Sequence, residues 1–159
     1  MTRRILVAGC LVLLAALGWW TAMSRPGGPE ALAKLKTLDE ILRSRNDNDP
    51  RLDHDFNELS PETKRLFRLR YQGIPPERRN ERGTIVYLLG RNLRSADDWA
   101  FLRGVAGEPP CLSLADCSKA ADPAAGGREP GDKVTLAYPS LVALKQAQRA
   151  LEDARKAPG

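Results

Sequence analysis

The sequence predicts an all-α protein: about five helices in a short bundle, behind one N-terminal transmembrane helix. Three observations carry that expectation. The apolar residues are mostly Leu and Ala, with few β-branched residues, which favours helix over strand. Leucines recur at steps of three and four in separate stretches, the spacing of one helix face. Ser60-Pro61-Glu62 and Ser95-Ala96-Asp97-Asp98 read as helix starts, in which a hydroxyl caps exposed backbone N–H groups.

The first element is the uncharged run 5–23, ILVAGCLVLLAALGWWTAM. As a helix it reaches roughly 28 Å, close to the ~30 Å hydrocarbon core of a bilayer. Arg3 and Arg4 precede it and belong on the cytoplasmic side; Trp19 and Trp20 suit the far interface. The expectation is an uncleaved signal anchor in a bacterial inner membrane, with the rest of the chain in the periplasm. A signal peptide cut near Ser24, after the small residues Ala22 and Ser24, would instead give a secreted or periplasmic protein. A lipobox at Val7-Ala8-Gly9-Cys10 has only Ile5 and Leu6 before it as an apolar core. Residues 1–23 are thus the leader, 24–30 (two Pro, two Gly) a linker, 31–155 a helical domain with a flexible loop at about 107–133, and 156–159 a tail.

The chain has 159 residues and a formal charge of +5, of which Arg3 and Arg4 carry two, leaving +3 on the exported part. That excess is far from the composition of a dedicated nucleic-acid binder, and nucleic acid is not the expected partner. The exported part is long enough for one small domain.

In chain order, residues 31–45 make an amphipathic helix with Leu32, Leu35, Leu38, Ile41 and Leu42 on one stripe. Residues 46–57 (NDNDPRLDHDFN) invite comparison with a calcium loop starting at Asp47, with Asp49 third and Glu58 twelfth. Arg51 then falls fifth and Leu52 sixth, where that loop needs a ligand and a glycine. A turn with capping side chains is expected instead, with His54 on the surface or at a cap. Residues 60–72 form the second helix, with Leu66, Leu69, Phe67 and Tyr71 inward and Gly73 as its stop. Residues 77–93 form a buried helix through Ile85, Val86, Leu88, Leu89 and Leu93. A further helix follows Ser95, with Trp99, Leu102 and Val105 inside, making an αα-hairpin with its predecessor.

Pro109-Pro110 ends that helix. Cys111 and Cys117 then form the only cysteine pair of the exported part. A metal pair usually reads C-x₂₋₄-C and a redox pair C-x-x-C, so a structural disulfide is expected here. Residues 134–155 return to helix, with Pro139 in the first turn and Leu141, Val142, Leu144, Ala147 and Leu151 on a stripe that closes the bundle against Trp99 and Leu89.

Arg82, Ile85 and Leu89-Gly90 are spaced as in the second helix of a HEAT repeat, and the acidic-start helix 97–105 resembles the first helix of the next one. The chain therefore resembles the HEAT (armadillo-type) helical repeats. The resemblance covers about 25 residues, and Ile85 stands where the repeat usually has alanine. It implies a short α-hairpin solenoid that binds macromolecules through a surface.

A catalytic constellation is not visible. One histidine supports no Ser-His-Asp set, no glycine-rich phosphate loop is present, and acid pairs such as Asp53/Asp55 and Asp97/Asp98 are ordinary in turns and helix starts. No cofactor or metal is expected. Between Lys64 and Arg103 stand ten cations against six acids counted from Glu58. Within that run Lys64, Arg65 and Arg68 share a helix side, and Arg65, Arg68, Arg78 and Arg79 are the candidate binding residues. The expected function is a non-catalytic interaction module or scaffold, partnered by another protein and held to the membrane by residues 5–23. A secreted enzyme accessory and a binder of anionic envelope polymers are the alternatives. The oligomeric state stays open.

Overall fold

The computed structural model describes residues 28–120 and 133–156. The leader, Cys10 and most of the 24–30 linker lie outside the described residues. Helix α1 (Pro29–Ser44) starts on proline, whose missing N–H costs nothing in a first turn. It ends at Arg45, held in the left-handed conformation at φ 54°. One short turn, α2 (Arg51–His54), interrupts the polar segment. Helix α3 (Pro61–Gln72) begins where Ser60 Oγ accepts the Thr63 N–H at 3.1 Å. Next come α4 (Arg79–Gly90) and α5 (Ala96–Ala106); a capping box between Ser95 and Asp98 opens α5. The single turn α6 (Lys133–Leu136) and the long α7 (Ser140–Lys156) complete an all-helical arrangement, with no strand among the described residues.

Packing is sequential at first: α1 lies on α3, α3 on α4, and α4 on α5. Helix α7 then lies across both α4 and α5. The core collects Leu38, Ile41 and Leu42 from α1, Phe67 and Tyr71 from α3, Ile85 to Leu89 of α4 apart from Tyr87, and Leu102 and Val105 from α5. Phe56, from the segment before α3, meets the Phe67 ring edge-on at 5.7 Å.

Small residues on α4 admit the last helix. A Cβ on Gly83 would sit 2.0 Å from the Tyr138 ring, and one on Gly90 would sit 2.4 Å from Gln146 Cγ. These glycines are seven residues apart, about two turns, so they lie on one side of α4. Their lack of side chains sets how closely α7 and its lead-in approach.

Several sequence expectations change. The 134–155 helix is broken: Pro139 precedes α7 rather than sitting in its first turn, because proline disfavours helical geometry in the residue before it. The helix expected from residue 77 starts at Arg79. Leu32, Leu69 and Trp99 are exposed, not inward. On α3 the buried side is Thr63, Lys64, Phe67 and Tyr71, a stripe rotated from the one through Leu66 and Leu69. The inward face of α7 is Ala143 and Gln146, and Leu141, Leu144 and Leu151 point out at 39%, 54% and 53% exposure.

Candidate interaction surface

The four candidate arginines do not share one open face. Arg65 donates to Glu62 one turn back on α3, and Arg78 pairs with Glu81. Arg68 reaches the Asp98 carboxylate on α5. Arg79 is buried, donating to the carbonyls of Ser113 at 3.4 Å and Leu114 at 3.2 Å. Lys64, which the helical spacing groups with Arg65 and Arg68, lies inside. Its ammonium donates to Asp98 Oδ2 at 2.7 Å and to the Asn92 carbonyl.

Asp98 therefore has several tasks. Oδ2 accepts from Lys64 and from the N–H groups of Arg94 (2.9 Å) and Ser95 (3.0 Å), while Oδ1 takes Arg68. Burial alone would raise its carboxyl, but hydrogen bonds from Lys64, the Arg94 N–H and Ser95 outweigh that and hold it below the usual carboxylate range. Beside it, buried Asn92 uses both ends of its amide. Oδ1 accepts the Leu59 N–H, and Nδ2 donates to the carbonyls of Phe56 and Leu88, each at 3.0 Å. The pair and the amide fix the 56–59 segment, the α3 start and the α4–α5 turn relative to one another. Sequence reasoning missed both Lys64 and Asn92, since each is polar at a core position.

A third polar node joins α3, α4 and the end of α5. The Arg82 guanidinium lies 4.1 Å over the Tyr71 ring and donates to Glu108 at 2.9 Å; the Tyr71 hydroxyl donates to the same carboxylate. Burial is the main reason the Tyr71 phenol is pushed above its ordinary value.

The polar segment after α1 is occupied by its own cation. Arg51 donates to both Asp49 oxygens, at 3.0 and 2.9 Å, and reaches Glu40 at 3.2 Å. The Arg51 hydrogen bond holds the Asp49 carboxyl below its ordinary value. The guanidinium thus stands where a calcium loop would need a ligand. His54 is exposed, and among the described residues no group of three or more His, Cys, Asp or Glu side chains is placed to hold a metal. Cys111 and Cys117 are joined as a disulfide.

Large apolar side chains also remain outward. A cleft of about 570 Å³ opens between the 47–53 segment, α4 and α7, with Tyr87, Tyr138, Leu141 and Val142 among its walls. Burial and the nearby Asp47 raise the Tyr138 phenol. From the lip of this cleft at Leu141 the exposed row continues through Leu144 to Leu151, with Gln148 between them. Those four positions step by three, four and three residues, the repeat of a coiled-coil seam, over roughly 15 Å. Beyond Ala150 every described residue of α7 is exposed.

No family model matches this chain, and comparisons with curated proteins and with solved structures return no match either.

Proposed function

We propose that these helices form a non-catalytic interaction module that seats a helix of a partner protein along α7. In the same proposal residues 5–23 hold the module at a bacterial inner membrane, with its body in the periplasm. The observation that carries the reading is the exposed row Leu141, Leu144, Gln148 and Leu151. Its spacing suits a second helix, and the packing of α7 on α4 and α5 uses other residues, Ala143 and Gln146. A leucine row left in water is a recognised mark of an interaction surface. The uncharged leader and the Cys111–Cys117 disulfide support placement outside the cytoplasm.

The HEAT-like architecture belongs to the same proposal. Its support is that Ile85, Leu89 and Gly90 are buried at the motif positions and that α5 follows after a short turn. Capture of anionic polymers has less support, because Arg65, Arg68, Arg78 and Arg79 each already meet an acceptor.

The test is a photo-cross-linker placed at Leu144 of the full-length chain in native membranes, with the cross-linked peptide mapped by mass spectrometry. The expected product joins Leu144 to a helical segment of another protein, one with apolar residues at three- and four-residue steps, and is lost in Leu151→Glu. Only self-cross-links, or products indifferent to Leu151→Glu, overturn the reading.

A further inference from the structure

Arg79 combines burial with unusual partners. The residue is 7% exposed, at the start of α4. Two of its partners are the carbonyls of Ser113 and Leu114, and the third is sulfur: Nη1 lies 3.6 Å from Cys117 Sγ. None of these partners carries a charge. A guanidinium taken out of water gains most from a full counter-charge, which carbonyl dipoles and a disulfide sulfur do not supply. A thiolate at Cys117 would supply it.

Two carboxylates stand near this sulfur, and Glu77 feels the Arg79 charge, but neither carboxylate hydrogen-bonds the sulfur. Glu77 receives the Cys117 backbone N–H at 3.1 Å, and this hydrogen bond is the main cause of its lowered carboxyl. The Asp116 carboxylate is taken up by Ser118 and Lys119. Among the described residues, Arg79 alone donates to the sulfur itself. A neighbouring cation favours the thiolate, and in thiol–disulfide exchange the sulfur that makes the more stable thiolate leaves more readily.

The disulfide is reachable, and the same groove is lined by both cysteines. A groove of about 350 Å³ reaches the disulfide between Pro76, Pro110, Leu136 and Pro139. On this wall the Cys111 N–H is held by the Leu136 carbonyl at 2.9 Å, and Sγ lies 3.9 Å from the Pro76 carbonyl, with no cation donating to it among the described residues.

From this geometry we infer that Cys111–Cys117 is an exchange-active disulfide with a fixed polarity. An incoming thiolate, on a small molecule or a peptide, attacks Cys111 Sγ. A new sulfur–sulfur bond forms there and the Cys111–Cys117 bond breaks. The electron pair of the broken bond goes to Cys117 Sγ, which leaves as a thiolate against Arg79. The incoming sulfur is oxidised and Cys117 is reduced, so the step needs no reactant beyond the thiol. Cys111 is then the site of the mixed disulfide, and Arg79 is the residue that sets the direction.

The experiment uses the full-length chain carrying Cys10→Ser. It is treated with reduced glutathione and, separately, with a short cysteine-containing peptide. Both reactions are quenched with an alkylating agent and mapped by mass spectrometry. The expected result is the added thiol on Cys111 and the alkyl group on Cys117, with the reverse pattern rarer by about three- to tenfold for each unit of difference between the two thiols. Reaction of the peptide but not glutathione, or the converse, identifies the thiol source and supports the assignment either way. Adducts shared equally between the cysteines, adducts mainly on Cys117, or none from either thiol overturn it.

A second readout follows alkylation rate against pH in Cys10→Ser/Cys111→Ser. The Cys117 midpoint should fall below the ordinary value of about 8.5. It should rise by about one unit or more when Arg79→Gln is added, and by less with Arg79→Lys. A midpoint indifferent to Arg79→Gln, in a chain whose circular dichroism is unchanged, overturns the role of the arginine. The adduct map of the parent chain needs no Arg79 variant, so it stands even if Arg79→Gln fails to fold.

Discussion

The α3–α4–α5 end and the outer side of α7 treat side chains in opposite ways. At the first, charge goes inside: Lys64 and Asp98 are 7% and 3% exposed in their side chains and sit among hydrogen bonds. On the second, large apolar side chains stay outside, with Leu144 and Leu151 more than half exposed. Composition does not separate the two regions, since each mixes leucines with basic residues. The contrast teaches that a run of cations can be internal wiring while a row of leucines is the free surface.

The largest expected effect tests the wiring. Asp98→Ala leaves a buried ammonium without its carboxylate and removes the α5 cap acceptor, so unfolding stability should fall by about 3–5 kcal/mol, read by urea denaturation. A loss under about 1 kcal/mol would mean that Lys64 finds water instead. The same pair gives a pH signature. The Asp98 carboxyl is lowered from an ordinary 3.8, so its contribution is complete above about pH 4 and is lost as pH falls through the lower folded value. Acid unfolding should therefore steepen below about pH 4 in the parent and less so in Asp98→Asn.

Next come the glycines under α7. Gly83→Ala pushes a methyl into the Tyr138 ring, and Gly90→Ala pushes one into Gln146. Each should cost about 1–3 kcal/mol. Because the Gln146 atoms met are Cβ and Cγ, held by the α7 backbone, whereas Tyr138 presents the far edge of its ring, Gly90→Ala should be the worse of the two. Equal or negligible losses would show that α7 is not seated at that distance.

On the other side of the contrast, Leu144→Glu and Leu151→Glu should change stability by no more than about 0.5 kcal/mol, as exposed substitutions do. A loss of several kcal/mol would place those leucines in a core. A gain of similar small size is expected at a strained residue: Arg45→Gly relieves the left-handed backbone after α1 and should add about 0.5 kcal/mol.

The parts of this fold legible in the sequence are those decided within a few residues. Ser60 with Pro61, and Ser95 with Asp98, mark helix starts because a cap is a local hydrogen bond. The turn with capping side chains expected at 46–57 is equally local: Asp49 Oδ1 accepts the Arg51 N–H. The inward side was legible on α1, α4 and α5, where Leu38, Ile41, Leu42, Ile85, Leu89, Leu102 and Val105 are buried, and not on α3 and α7. On α3 the aromatic pair Phe67 and Tyr71 takes the core with Thr63, and Lys64 follows because it shares their side, leaving Leu69 outside. A charged residue is admitted there only because Asp98 arrives from α5, which no pattern around residue 64 announces. The exposure of Leu144 and Leu151 depends on Gly83 and Gly90 fixing where α7 lies. Two glycines seven residues apart on one helix were the available signal for that approach. The partnership of Arg79 with Cys117 joins residues 38 apart, and spacing within the cysteine loop does not show it.

The contrast between buried charge and exposed leucine is tested most directly by hydroxyl-radical footprinting of the native full-length chain, read residue by residue by mass spectrometry. The expected result is oxidation of Leu144 and Leu151 at rates near those of the unfolded chain, with Leu88 and Leu102 protected. Protection of Leu144 and Leu151 equal to that of Leu88 in the isolated chain would contradict the account.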